Sequence, residues 1–308
     1  YSNTTGTSNV AVGCGALKLN TTASQNTAVG LDALRDTTTG CRNTAMGYNS
    51  LVLNTTGICN VSIGRTTLDA NTTGDFNTAV GNSALSANTT ASNNTAVGYQ
   101  SLFANTTGTQ NTAVGNCTLA TSTTSSGHTA VGHCALKAAT SGYSNTAVGA
   151  FSGDATTSGN SNVSMGYDSF TDNTTGDCNV AIGRTALANN TTADNNTAVG
   201  ACALFANTTG CRNVGVGYNS SDAITTGHSN VIIGYDSGTS LTTGTHNTLL
   251  GAKSSNSLTT GINNHTLGDN PDYTKIFNIT TESNRAIIGN NTTNKCLCKS
   301  RLDCNIRC

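Results

Sequence analysis

The chain repeats one pattern of apolar and polar positions every 17 residues. Each unit begins with a pentapeptide of the type Asn-Thr-Ala-Val-Gly, and the closing glycines follow one another in steps of 17 from Gly13 to Gly268. In a typical unit, residues 77–93, the pentapeptide precedes an Ala-Leu pair and an Asn-Thr-Thr turn. We number the positions of each unit 1 to 17, from the first Asn of the pentapeptide. A fixed short period of this kind indicates a solenoid of stacked units.

The length and residue types of the unit predict β-structure. Seventeen residues are too few for the helical repeats of about 33 to 47 residues, and β-branched residues are frequent. We therefore predict an all-β protein, a parallel β-solenoid (β-roll) of sixteen 17-residue coils. Each coil is expected to contain two short strands and two turns, and to stack on the next at ~4.8 Å. Sixteen coils at that spacing predict a rod roughly 75 Å long.

Two columns of large apolar residues run through the repeat. Position 4, just before the glycine, is apolar in every unit, and we interpret it as the core. Representative core residues are Val29, Val80, Val97, Val114 and Val148.

Position 9 forms the second column, which contains Leu68, Leu85 and Leu102. A second exposed apolar stripe would favour association, so these leucines are the candidate contacts between subunits. The alternative is that both columns fill one interior from opposite walls.

The second column changes near the end of the repeats. Position 9 becomes Ser221, Gly238 and Ser255, and an apolar residue appears three positions later as Ile224, Leu241 and Leu258. This compensation predicts a change of cross-section or packing partner near Gly217.

Composition narrows the possible partners. Charged residues make up 9% of the chain and the formal net charge is −1, so no clustered basic surface is available for nucleic acid or anionic membrane. No apolar run is long enough to span a bilayer. The chain begins at Tyr1 within a repeat, which we interpret as a processed or partial product.

The pentapeptides, such as 26–30 and 179–183, resemble the head repeats of trimeric autotransporter adhesins. The 17-residue unit is also similar to repeats of phage and giant-virus tail-fibre-like proteins. The resemblance covers residues 3–268 and implies a left-handed, trimeric β-roll. Residues 284–291 are similar to the segment that precedes a self-cleaving chaperone domain in such fibres. The Cys-rich residues 296–308 depart from that pattern.

Asn-Thr-Thr triplets recur in one column of the repeat and match the acceptor sequence for N-linked glycans. The alternative is that these Asn side chains serve the turn or stack in an amide ladder. The candidate glycosylation sites are Asn3, Asn20, Asn54, Asn71, Asn88, Asn105, Asn173, Asn190 and Asn207.

The paired threonines, such as Thr72 and Thr73, raise the possibility of an ice-binding surface. Adjacent strand residues point to opposite faces, so only one Thr of each pair is expected to face outward. Ice binding is therefore a minor alternative.

Twelve cysteines in a chain with few charges favour an oxidising compartment. Cys117 and Cys134 occupy the same position in successive coils, and Cys41 and Cys59 lie 18 residues apart, so both pairs are candidate disulfides. The irregular spacing of the C-terminal group favours disulfides over zinc. That group contains Cys296, Cys298, Cys304 and Cys308.

Catalytic chemistry has little support in the sequence. The five histidines are scattered among columns, and Asp32, Asp168 and Asp236 share a column but are far apart in sequence. We expect no enzyme activity, no cofactor and no metal.

The sequence therefore predicts a solenoid shaft over residues 1–274 and a Cys-rich cap or connector over 275–308. The expected function is an extracellular fibre shaft, on a cell or virion surface, with an adhesive or surface-display role. Its partners are further copies of itself, as a homotrimer able to form filaments, and a carbohydrate or cell surface. The alternative function is a carbohydrate-binding or carbohydrate-cleaving tail spike.

Overall fold

A computed structural model describes residues 2–269, 280–288 and 296–299, the backbone alone at residues 288 and 296–299. The chain divides into two compact units, Tyr1–Ser158 and Gly159–Cys308. The described residues form strands and turns, with no helix. The prediction of an all-β solenoid with a 17-residue period is confirmed.

The first unit contains nine three-residue strands, each in a separate coil. Every strand pairs in parallel with the next, so that Thr78 lies beside Thr95 and Val80 beside Val97. Each residue therefore stacks on the residue 17 positions later. The strands are β1 (Val10–Val12), β2 (Thr27–Val29), β3 (Thr44–Met46), β4 (Val61–Ile63), β5 (Thr78–Val80), β6 (Thr95–Val97), β7 (Thr112–Val114), β8 (Thr129–Val131) and β9 (Thr146–Val148).

The second unit repeats this arrangement and ends differently. Strands β10 to β17 pair in parallel, but β17 follows β16 at an offset of 21 residues, with His265 beside Ala286. Strand β18 then pairs antiparallel to β17. The strands are β10 (Val163–Met165), β11 (Val180–Ile182), β12 (Thr197–Val199), β13 (Val214–Val216), β14 (Val231–Ile233), β15 (Thr248–Leu250), β16 (His265–Leu267), β17 (Arg285–Ile288) and β18 (Cys296–Lys299).

Each repeated coil has one strand, where the sequence predicted two. The rest of the coil is built from turns, because positions 7, 9 and 17 take left-handed φ angles, as in Ser83 (56°), Leu85 (52°) and Asn93 (63°). This conformation costs a non-glycine residue about 1–2 kcal/mol. Hydrogen bonds between coils offset the cost, since the Leu85 N–H donates to the Ser101 carbonyl at 3.0 Å.

The glycine at position 5 is required by both conformation and space. Gly81 has a φ of 127°, and a Cβ on it would lie 2.6 Å from the Gly98 carbonyl oxygen in the next coil. Backbones therefore stack too closely here for any side chain, which explains a glycine in every one of the repeats.

The interior of each coil is formed by positions 3 and 9. Ala79 and Ala96 at position 3 are fully buried, and so are Leu68, Leu85 and Leu102 at position 9. The prediction that these leucines contact another subunit is wrong, because their side chains are fully buried inside one chain and expose no surface to a partner. The opposed walls meet as a leucine facing an alanine or, in the Leu68 coil, a leucine facing Ser62.

Position 4 points outward, so the core prediction for Val29, Val80, Val97, Val114 and Val148 is also wrong. All five are only partly buried, whereas the alanine before each is fully buried. The physical reason is that successive side chains of a strand point to opposite faces, so positions 2 and 4 lie on one face and position 3 lies on the other. Leucine from the far wall fills the interior, so only a small residue fits at position 3.

The exchange of apolar positions near Gly217 is a rearrangement of the core. In β14 and β15 position 3 becomes Ile232 and Leu249, and both are buried. A Cβ on Gly238 would lie 3.2 Å from both side chains, so the glycine at position 9 makes room for them. Ile224, Leu241 and Leu258 are buried as well. The predicted change of cross-section is thus a redistribution of volume inside the coil.

Candidate functional site

The Asn-Thr-Thr asparagines, at position 12, point into the coil and not toward solvent. Asn71 Nδ2 donates to Asn54 Oδ1 of the preceding coil at 2.9 Å and to the Gly74 carbonyl of its own turn at 3.1 Å. Asn88 and Asn105 repeat both contacts. The column is a buried amide ladder, the alternative that the sequence left open.

A glycan would be attached to the same Nδ2 atoms that hold this ladder. Asn3, at the exposed start of the ladder, donates Nδ2 to the Gly6 carbonyl at 3.0 Å. The other eight are buried, and their amides are occupied inside the coil, so the glycosylation prediction is wrong for them. These eight are Asn20, Asn54, Asn71, Asn88, Asn105, Asn173, Asn190 and Asn207.

A second amide ladder runs through position 1. Asn43 Nδ2 donates across the coil to the Gly57 carbonyl at 2.8 Å, and its Oδ1 accepts the N–H of Asn60 at 2.9 Å. The two ladders hold the corner formed by positions 12 to 17 from both sides. Position 1 was not among the predicted sites, although Asn occurs there in nearly every unit.

His128 takes the place of Asn in the position 1 ladder. Its Nε2 contacts the Gly142 carbonyl at 2.9 Å, and its Nδ1 accepts the N–H of Asn145 at 3.2 Å. This pattern needs the neutral ring with the proton on Nε2. Burial lowers the pKa of His128, which also favours the neutral ring. The backbone contacts with Gly142 and Asn145 have smaller, opposing effects on this pKa.

The paired threonines have different roles. At position 13, the Thr72 hydroxyl donates to the Thr89 carbonyl of the next coil at 3.1 Å. At position 14, Thr73 is exposed. One member of the pair therefore supports the stack and the other forms an outward column one residue wide.

The described cysteines with described side chains are free thiols. Cys41 and Cys59 occupy different columns and are joined only through the backbone, by the Cys59 N–H and the Cys41 carbonyl at 3.0 Å. Cys117 and Cys134 do share a column, and burial, followed by the charge of Cys117, raises the pKa of the Cys134 thiol. Neither predicted disulfide is formed.

The C-terminal cysteines lie largely beyond the described residues. The side chains of Cys296 and Cys298 and the whole of Cys304 and Cys308 are outside them. The disulfide prediction for these four remains a prediction.

Ionisable groups form few close contacts within the described ranges. The Arg35 guanidinium bonds both Asp36 carboxylate oxygens, at 2.7 and 2.8 Å, and holds the pKa of Asp36 below its usual value. Burial raises the pKa of Asp222, against the opposing effect of hydrogen bonds from the Asp222 and Ala223 backbone, and the charge of Asp236 adds to the increase. No group of three or more metal-ligating side chains occurs in residues 2–269 or 280–287.

The outer face of the parallel sheet is the most extensive unusual surface. Position 4 places an apolar side chain there in every coil, and position 2 adds a Thr or Val in nearly every coil. We call this surface the outer stripe. Its more exposed members at position 4, between 36% and 57% accessible, are Val12, Met46, Ile63, Val131, Met165, Ile182, Ile233 and Leu267.

Comparison of the chain with protein-family models, with curated proteins and with solved structures gives no match. Within the described ranges, no helix has the length and apolar character needed to cross a membrane. The geometry of the repeat is therefore the basis for a functional proposal.

Proposed function

We propose that this chain is the shaft of an extracellular fibre on a cell or virion surface, with an adhesive or surface-display role. In this proposal the copies of the chain associate through the outer stripe and form a homotrimer. The glycan coat considered from the sequence is not part of it, because the position 12 amides are occupied inside the coil.

The outer stripe is the observation that carries the proposal. In the first unit it spans nine coils, about 40 Å at ~4.8 Å per coil. Contiguous exposed apolar patches of this extent are uncommon on monomeric proteins and mark interaction surfaces. A regularly spaced stripe matches another copy of itself, since the partner has the same spacing along its own sheet.

The number of subunits comes from the resemblance to trimeric β-roll adhesins. Closed cyclic assemblies bury a repeated surface without leaving a free edge. A three-fold arrangement would place three outer stripes around one axis. Dimers and larger rings are distinguishable outcomes of the experiment below.

The experiment is size-exclusion chromatography with light scattering on the purified chain and two double variants. Ile63→Asp with Val97→Asp places carboxylates in the outer stripe, where desolvating them would cost several kcal/mol on assembly. Thr56→Asp with Thr90→Asp is the matched control, because both residues lie in exposed position 14 of the same first unit.

We expect three times the chain mass for the unchanged protein and for the control, and the mass of one chain for the stripe variant. Far-UV circular dichroism should be the same for all three. A monomer in the unchanged protein, or a trimer that survives in the stripe variant, would contradict the proposal.

A further inference from the structure

A cavity of about 360 Å³ opens on one corner of the second unit. It spans three successive coils at positions 6, 7 and 10, on the side of the coil that follows the repeat glycine. Its lining residues are Arg184, Thr185, Cys202, Phe205, Asn219 and Asp222.

The backbone of the corner explains why these side chains converge. Thr185, Cys202 and Asn219 occupy position 7 with φ angles of 53°, 59° and 51°. Position 10 places Phe205 and Asp222 in adjacent coils, joined by the Ala206 N–H and the Asp222 carbonyl at 2.9 Å. The stacked coils thus hold one row of small polar groups opposite an aromatic ring and a carboxylate.

Phe205 is an exposed aromatic wall of this cavity. Its side chain is 38% accessible, although a buried phenylalanine at position 9, Phe170, fits inside the coil. An aromatic face in contact with solvent suits the apolar C–H face of a pyranose ring.

The polar groups of the cavity have unused hydrogen-bonding capacity. Asp222 lines the cavity and is partly exposed, so its carboxylate can accept a hydrogen bond from a ligand in addition to those of the Asp222 and Ala223 backbone. Arg184 Nη2 contacts Cys202 Sγ at 3.7 Å, and its guanidinium forms no ion pair with a described carboxylate. A carboxylate has about four acceptor positions, so the partly exposed Asp222 favours a ligand that supplies a hydrogen-bond donor.

We propose that this cavity binds one neutral pyranose unit of a carbohydrate. The sugar ring stacks on Phe205, a hydroxyl donates to Asp222, and Arg184 donates to a neighbouring oxygen. Adjacent hydroxyls suit this pair because each can donate or accept. A neutral ligand is favoured over an acidic one, since Asp222 balances Arg184 and Asn219 already bonds a further carboxylate, Asp236, at 3.1 Å.

The site is independent of the fibre proposal, because it lies on a corner of the coil and not on the outer stripe. It would make the chain a carbohydrate-binding protein whether or not the copies assemble.

The test uses saturation-transfer NMR and calorimetry on the full chain. The probes are the methyl glycosides of glucose, galactose, mannose and N-acetylglucosamine, with N-acetylneuraminic acid as the acidic probe. We expect a Kd on the order of 1 mM for at least one neutral sugar, as befits so small a ligand.

Two variants in the cavity and one outside it make the test specific. Phe205→Ala and Asp222→Ala should each weaken binding at least tenfold. Phe103→Ala is the matched control, because Phe103 has the same position 10 and a similar exposure of 40%, but lies in the first unit away from the cavity. It should bind as the unchanged protein does.

The proposal would be overturned by no binding of any neutral probe, by binding of the acidic probe alone, or by affinity unchanged in both Phe205→Ala and Asp222→Ala. A loss of affinity in the Phe103→Ala control would also contradict it, because the effect would then not depend on the cavity.

Discussion

At the scale of single residues, the ends of the amide ladders explain why certain buried side-chain oxygen atoms accept no hydrogen bond. In a run of position 12 asparagines, each Oδ1 accepts from the Nδ2 of the next coil, as Asn54 does from Asn71. The last Asn of a run has no such donor. Oδ1 is unpartnered in Asn20, Asn105 and Asn207, which are followed at position 12 by Thr37, Ser122 and Ile224.

Thr37→Asn should join two of these runs into one. The new Nδ2 would donate to Asn20 Oδ1, and the new Oδ1 would accept from Asn54, whose present contact with the Thr37 hydroxyl is 3.5 Å. Gly40 leaves the space at position 15 that other ladder asparagines use. We expect stabilisation of about 1 kcal/mol, measured by denaturant unfolding. Thr38→Asn, at the neighbouring half-buried position, is the control and should not stabilise.

His128 should make the stability of the first unit depend on pH. Its pKa is lowered in the folded state, so the unfolded chain binds the proton first. The contribution of neutral His128 is present above about pH 6.5 and is lost as the pH falls toward the folded pKa, by at most about 1.4 kcal/mol per pH unit.

His128→Asn restores the usual ladder residue and should remove this part of the pH dependence. The measurement is the unfolding free energy of both proteins from pH 7.5 to pH 5. Parallel pH profiles for the two proteins would contradict the role given to His128.

At the scale of the coil, the decisive feature is which apolar column faces inward. Side chains alternate between the two faces of the strand whether positions 2 and 4 or position 3 are buried. A three-residue pattern such as Thr78-Ala79-Val80 therefore does not define the buried face. The neighbouring turn defines it, because the left-handed φ at position 9 turns Leu85 into the interior opposite Ala79. The leucine leaves room only for a small side chain, that of alanine or serine, on the strand wall.

A matched pair of truncations in one coil tests this orientation. Leu85→Ala removes a fully buried side chain and should cost about 2–5 kcal/mol. Val80→Ala removes a partly exposed one and should cost under about 1 kcal/mol in the dissociated chain. Thermal unfolding at low protein concentration measures both. Equal losses, or a larger loss for Val80→Ala, would restore position 4 as the core.

At the scale of the whole molecule, stability comes from repetition and not from charge. Few residues are charged, and the described ion pairs, such as Arg285 with Glu282 at 2.9 Å, lie at partly exposed sites where each contributes about 0–1 kcal/mol. Backbone hydrogen bonds and amide ladders instead recur in successive coils, so each coil depends mainly on its neighbours.

The second unit also shows how the repeat ends. Arg285 takes the place of the next position 1 asparagine: its N–H donates to Asn264 Oδ1 at 3.2 Å, but its side chain has no oxygen to continue the ladder. Antiparallel pairing of β18 then covers the edge of β17. Edge strands can recruit strands of other chains, and the edge at this end of the sheet passes from β17 to the four-residue strand β18.

The sequence by itself determined the period, the stacking and the fold class. Seventeen-residue spacing without insertions places identical residues in register, and the invariant glycine marks the point where backbones approach too closely for a side chain. The amide ladder was also within reach of the sequence, since asparagines at a fixed period stack on one another in any parallel coil.

The tertiary structure decided which side of each column faces the interior. Periodicity reports that residues share a face but not whether that face is inside, so positions 4 and 9 exchanged their expected roles. The interior volume settles this, because one leucine and one small residue fill a 17-residue coil and a second large column must lie outside. The cavity around Phe205 likewise depends on side chains from three different coils. The sequence of one repeat does not show that these side chains lie close together.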